Sequence, residues 1–270
     1  MSFRLTTLVI LVLSISAFAQ VKKVKKPGLA SLSPSQDCFA IFNDKLPNFC
    51  VTQNGNISSF IFPAGFSQLF TDGYGVCDLT TSAVSYYDDG DQDSGNWLNP
   101  IVSEPHGPNT FPLTITRTTS DGIWTVKQVF SRNTADAYVK VVITWTNNTA
   151  AGKLAYFSRY VDIDADNNVT SPSLNFFDGS ANAGWGYAPS TNTSHGLTVR
   201  SNQSDNNFQG FVTSFSDSLG GNHDPCNFVS NSTPSQGDQA VMYVWIPTAQ
   251  GTFIVQPHAK ITQTLEYRPM

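Results

Sequence analysis

Glutamate is nearly absent from this 270-residue chain: of its twenty acidic residues eighteen are Asp, and only Glu104 and Glu266 are Glu. Glu supports helices, whereas Asp, Asn and Gly settle into turns, so the skew argues for strands joined by tight connections. Histidine is also scarce, at four residues, which thins the field of general acid/base candidates. GxSxG, HExxH, P-loop and dinucleotide-binding fingerprints are missing, so the common hydrolase and nucleotide readings have no motif behind them. No CxxC pair occurs, and no run approaches the ~20 apolar residues that a transmembrane helix requires.

What is present begins with an export pattern. Arg4, the apolar run Leu8 to Ile15 and the small-x-small triplet Ala17-Phe18-Ala19 read as a signal peptide, residues 1–19, cleaved after Ala19. Residues 20–36, with Lys22, Lys23, Lys25 and Lys26 ahead of Pro27-Gly28, read as a basic flexible segment. Residues 37–270 are then expected to form a single β-sandwich domain, secreted or periplasmic and without a membrane anchor. Loss of Arg4 takes the formal charge from -5 to -6, which gives nucleic acid no electrostatic footprint to use.

Cys38, Cys50, Cys77 and Cys226 form an even set in an exported chain, the context of disulfides rather than metal thiolates. Three pairings are open. The favoured one joins Cys38 to Cys50 and leaves Cys77 to reach Cys226 across the domain.

The clearest strands lie between Thr114 and Asp166. Asp121-Gly122 is a turn signal between Thr114-Ile115-Thr116-Arg117 and Ile123-Trp124-Thr125-Val126. Trp124, Val126, Gln128 and Phe130 share one strand face, and Val139, Val141, Ile143 and Trp145 share another. With Leu154 to Asp166 these runs predict a four-stranded antiparallel meander having one buried side. Shorter alternating runs include Ile57 to Phe62, Phe208 to Phe215, Val241-Tyr243-Trp245 and Ala259-Ile261-Leu265. No helix is long enough to cover a sheet, so the apolar faces must cover one another in an all-β, antiparallel sandwich.

Two acidic runs are candidate metal sites. Asp162, Asp164 and Asp166 alternate before Asn168, and extended backbone would put the three carboxylates on one face about 7 Å apart, where a hard cation relieves their repulsion. Asp89, Asp91 and Asp93 repeat the spacing in a Gly-containing loop. The cation implied by both is Ca2+, although neither completes an EF-hand: Ser173 stands where a bidentate Glu would close the first. The bland alternative is a pair of solvated turns.

Catalytic arrangements are thinner. Glu104 and His106, between Pro105 and Pro108, are the best local acid/base pair, and His195 and His258 stand alone in the sequence. Trp97, Trp185 and Tyr187 sit in Gly-, Ser- and Asn-rich stretches rather than in alternating strands, where their rings would be free to stack on sugar.

The order of elements, from the turn-led strand at Asn56-Ile57-Ser58 to the last strand through Ile261 and Leu265, resembles in architecture the large sandwich of galactose-mutarotase-like and polysaccharide-active proteins. That resemblance implies a fold and carries over no functional residue, because the family's catalytic His motifs are missing and Glu266 lies too near the end to take its catalytic Glu. Three functions remain in competition. The leading one is a non-catalytic module for a polysaccharide or cell-surface glycan, with structural calcium as its candidate cofactor. The others are a carbohydrate-active lyase, hydrolase or epimerase using acidic residues, and a structural matrix component.

Overall fold

The computed structural model describes residues 38–89, 93–167, 174–188, 195–202, 208–214, 225–226, 239–245 and 254–270. The leader, the basic segment, Asp91 and Asn168 lie outside the described residues. Within them the chain is built from strands, with one short 3-10 turn at Ala165–Asn167, and no helix among them is long and apolar enough to cross a membrane.

The larger sheet is assembled from β6 (Ile101–Ser103), β7 (Leu113–Thr118), β8 (Trp124–Asn133), β9 (Tyr138–Asn147), β11 (Leu174–Asp178), β12 (Ala183–Tyr187), β13 (Gly196–Ser201) and β17 (Lys260–Pro269). Its spatial order is β11-β12-β13-β17-β9-β8-β7-β6. The facing sheet holds β4 (Thr71–Asp78), β5 (Val84–Asp88), β10 (Lys153–Asp162), β14 (Phe208–Ser214) and β15 (Gln239–Trp245), in the order β14-β15-β10-β4-β5, with β16 (Ile254–Val255) pairing to β10. A small third sheet, β1 (Cys38–Phe42), β2 (Asn48–Thr52) and β3 (Ile57–Ile61), completes the fold. All the ladders are antiparallel.

The period-two pattern decides which face is dry. Trp124, Val126, Gln128 and Phe130 of β8 are fully buried, as are Val139, Val141, Ile143 and Trp145 of β9, and they meet Ala155, Phe157 and Val161 of β10 and Val241, Tyr243 and Trp245 of β15. Trp145 stacks on Phe157 at 4.9 Å, and Trp124 meets the same ring edge-on at 5.4 Å.

The predicted meander needs one correction. β7, β8 and β9 do run as a meander, but β10 leaves for the facing sheet, where it pairs with β4 and β15, and β17 takes the place beside β9. The cause is Asn147, whose buried side-chain amide donates to the carbonyls of Ala151, Val255 and Gln256 and whose Oδ1 accepts from Thr149. Those bonds make residues 148–152 a corner between layers instead of a hairpin.

The favoured disulfides are both formed, Cys38 with Cys50 and Cys77 with Cys226. The second joins residues 149 apart and holds Pro225 against Gly75 of β4; closing so long a loop stabilises by roughly 4–5 kcal/mol in the chain-entropy account.

Charge is also buried between the layers. Arg159 of β10 donates to Asp72 at 2.5 Å, to Gln128 Oε1 at 2.6 Å and to the Tyr267 hydroxyl at 3.0 Å, and Tyr267 in turn donates to Asp72. The turn between β2 and β3 plugs this interior: Asn54 O accepts from Tyr74, and Asn54 and Asn56 both donate to Asp88, which also holds Arg117 at 2.6 Å. Gly55 sits there at φ 94°, pressed against Gln128, so both its backbone and the space exclude a side chain. Burial pushes the Asp72 carboxyl upward, against the pull of Arg159, Tyr267 and the Ile57 amide.

Candidate functional site

The outer face of the larger sheet gathers functional side chains in a row. β12 reads Ala-Gly-Trp-Gly-Tyr, and its glycines face inward because a Cβ on Gly184 would strike Val241 and one on Gly186 would strike Ile163. That close approach turns Trp185 and Tyr187 outward. Trp185 pairs in register with Phe176 of β11, and Tyr187 with Leu174. The Phe176 ring lies parallel to both, with centroids 5.6 Å from Trp185 and 5.9 Å from Tyr187. All three are half-buried, which leaves part of each ring on the solvent side.

The row continues across the sheet. Trp185 is opposite Thr198, Thr198 is opposite Arg268, and the Arg268 guanidinium lies over the Tyr138 ring at 4.1 Å. Four inter-strand steps make this about 19 Å of continuous surface, from β11 to β9. Beside it Glu266 is 5% exposed; Arg268 donates to its Oε2 at 2.6 and 2.8 Å, and Asn202 donates to its Oε1. In register, Glu266 stands between Arg200 and Lys140. The arrangement offers apolar ring surface flanked by fixed hydrogen-bonding groups, which is what a ring-shaped polyol requires.

The structure distributes the other predicted residues differently. Trp185 and Tyr187 lie in a strand rather than a loop, and Trp97 belongs to the core: it is 9% exposed, packs edge-on to Tyr74 and Tyr86, lies under Arg117 and donates its indole N–H to the Tyr87 carbonyl. An isolated bridge to Thr119 draws it inward.

Asp162, Asp164 and Asp166 do not share one strand face. β10 ends at Asp162, which is buried, and the chain then bends so that Asp166 adopts φ 60°, a left-handed conformation that Asp tolerates. Its Oδ1 meets Gln68 Nε2 and His195 Nδ1, each at 3.0 Å. His195, solitary in the sequence, therefore has a carboxylate partner. Asp89 is buried, and Asp93 accepts from Arg117 at 2.8 Å and from the Gly95 amide. Among the described residues no three His, Cys, Asp or Glu side chains converge as a metal site. Glu104 accepts from the Asn109 amide at 2.7 Å and so closes its own loop, with His106 exposed on it.

Sequence reasoning weighed Glu266 and set it aside for its place near the end of the chain, and it missed Phe176 and Arg268 on the outer face and Arg159, Asp72, Arg117 and Asp88 inside. The signal for the interior set was available: Arg117 follows Leu113 and Ile115 at spacing two, and Arg159 follows Ala155 and Phe157, so strand alternation points both inward. Phe176 gave no such cue before its pairing with β12 was known.

Scans against protein-family models and curated proteins found no match. Among solved structures, a bacterial glucoamylase complexed with acarbose superposes with TM-score 0.58 at 9% identity over 89% of this chain. The chain spans about a third, 34%, of that protein's length. A protein of Escherichia coli K12 assigned by name as an aldose 1-epimerase superposes with TM-score 0.50 at 10% identity, covering 86% of this chain and 98% of its own. At such identity the likeness is one of fold. It bears out the all-β antiparallel sandwich read from the sequence.

Proposed function

We propose that this protein binds carbohydrate through the outer face of its larger sheet, as an exported, non-catalytic module. The observation that carries the reading is the parallel ridge of Phe176, Trp185 and Tyr187 beside the Arg268–Glu266 pair. Ring faces supply apolar area to pyranose C–H groups, and the fixed polar groups supply hydroxyl partners. Two disulfides suit an oxidising compartment, which supports export. The architectural counterparts named above include a glucoamylase holding acarbose, which adds support at the level of fold. Affinity electrophoresis of the protein through gels containing individual polysaccharides tests the reading. Retardation in at least one gel, relieved by Trp185→Ala, is expected; equal mobility in all of them would remove it.

A second reading, a carbohydrate-active enzyme working from the same face, rests on Glu266 as a shielded carboxylate beside the ridge. Glycoside hydrolysis uses a carboxyl pair, and Arg268 and Asn202 already occupy both oxygens of Glu266. Release of reducing ends by the wild type and not by Glu266→Gln would favour this reading over the first.

A further inference from the structure

The outer face of the larger sheet carries a charge opposite to that of the whole chain. The protein has a formal net charge of -5, with twenty carboxylates to fifteen Lys and Arg. Yet the outward positions of β8, β9, β13 and β17 place Lys127, Lys140, Arg200, Lys260 and Arg268 on one surface, against two carboxylates: Glu266, which Arg268 already holds, and Asp178 at the end of β11 on the face of Phe176. Lys127, Arg200 and Lys260 are exposed and Lys140 is half-buried. None of these four makes an ion pair with a described residue. The cations elsewhere that do pair with carboxylates are the shielded ones, as Arg132, with its side chain 5% exposed, does with Asp44. The surface between them is hydroxylic: Thr116, Thr125, Thr144, Thr146, Thr262 and Thr264 all point outward, and Thr144 and Thr262 share a hydrogen bond at 3.1 Å.

Solubility alone does not call for this arrangement, because an acidic chain is kept apart by its own net charge. A second copy of the same face would meet five cations with five cations, which disfavours self-association there. A chain bearing regularly spaced anions, with ring surfaces to lie on the ridge, fits both the charge and the apolar row.

We propose that this face selects an anionic polysaccharide, one bearing uronate or sulfate groups, with Lys127, Lys140, Arg200 and Lys260 facing the anions and the Phe176–Trp185–Tyr187 ridge taking the sugar rings. The proposal rests on the carbohydrate-binding reading above and adds the charge of the ligand. Steering by such a face also makes association faster at low salt.

The experiment is calorimetric titration of the full-length protein with four probes: a polyuronate, a sulfated galactan, an uncharged galactan and duplex DNA. Each titration is run at low and at physiological salt, on wild type, on Lys127→Gln/Arg200→Gln/Lys260→Gln and on Trp185→Ala. The expected result is an affinity for the polyuronate or the sulfated galactan at least about tenfold above that for the uncharged polymer, weakening with salt. The triple variant should lose about tenfold toward the anionic polymer and nothing toward the uncharged one, since exposed ion pairs contribute modestly each. The preferred anion tells carboxylate from sulfate. Equal affinity for charged and uncharged polymers, an unaffected triple variant, or DNA bound as tightly as the glycans would overturn the proposal. Binding of uncharged galactan that Trp185→Ala abolishes, without anion preference, would leave the carbohydrate reading standing alone. Silence toward every probe would end both.

Discussion

The two sides of the larger sheet use charge in opposite ways. Inside, each guanidinium is matched: Arg159 to Asp72, Gln128 and Tyr267, and Arg117 to Asp88 and Asp93. Outside, four cations stand without a described partner beside a stack of half-buried rings. Desolvated charge has to be neutralised locally or the fold pays for it, whereas wetted charge can remain open for a ligand. The same alternation that sends Gln128 and Arg159 into the core sends Lys127 and Trp185 to the opposite surface. Pairing therefore marks the interior set as architectural, and the open outer set is the one the proposed ligand would use.

The contrast is broken most severely from the inside. Arg159→Leu leaves Asp72 buried without its cation and should cost about 3–5 kcal/mol, read as a lowered denaturant midpoint. Combining it with Asp72→Leu should recover part of that loss, because an unpaired charge is worse than none. Asp88 gives a pH-dependent version. Burial, working against Arg117 and Asn56, pushes its carboxyl up to about 6 from the usual 3.8. Between those values the folded protein binds more protons than the unfolded chain. The Asp88 contribution is fully present below about 4, falls as pH rises through about 6 and is flat above, a swing on the order of 2–3 kcal/mol. Melting scans across this range should show the decline in wild type and a shallower one in Asp88→Asn; parallel curves would contradict the assignment. Gly55→Ala meets both φ 94° and Gln128, and a loss of about 1–3 kcal/mol is expected in chemical denaturation. At the other end, Lys127→Gln on the outer face should move stability by no more than about 0.5 kcal/mol. A large effect there would mean that the cation serves the fold after all.

How far the sequence discloses this division depends on the residue. Period-two alternation was enough to seat Trp124, Val141 and even polar Gln128 in the core, and to place strands at Val241–Trp245 and through Ile261 and Leu265, because burial on one face writes itself directly into the pattern. The β12 strand was hidden by its glycines, which weaken a strand signal yet are required where β12 lies against Val241 and Ile163. Trp97 misled for a related reason: an Asn- and Gly-rich neighbourhood suggested an open loop, while a single bridge to Thr119 turns the indole inward. The corner after β9 depended on the reach of one Asn147 amide to carbonyls more than a hundred residues away. His195 and Asp166 are 29 residues apart and meet only because the turn after β10 packs against β12 and β13. Such long-range encounters leave no local trace.

The central claim is that the aromatic ridge on the outer face holds sugar. Intrinsic fluorescence of wild type and Trp185→Ala, titrated in parallel with one soluble polysaccharide that retards the protein, tests it most directly, with melting curves recorded on the same samples. The account predicts a saturable change in wild type, an affinity lowered about tenfold or more in Trp185→Ala, and closely similar melting temperatures. Undiminished affinity in a folded Trp185→Ala protein would contradict it.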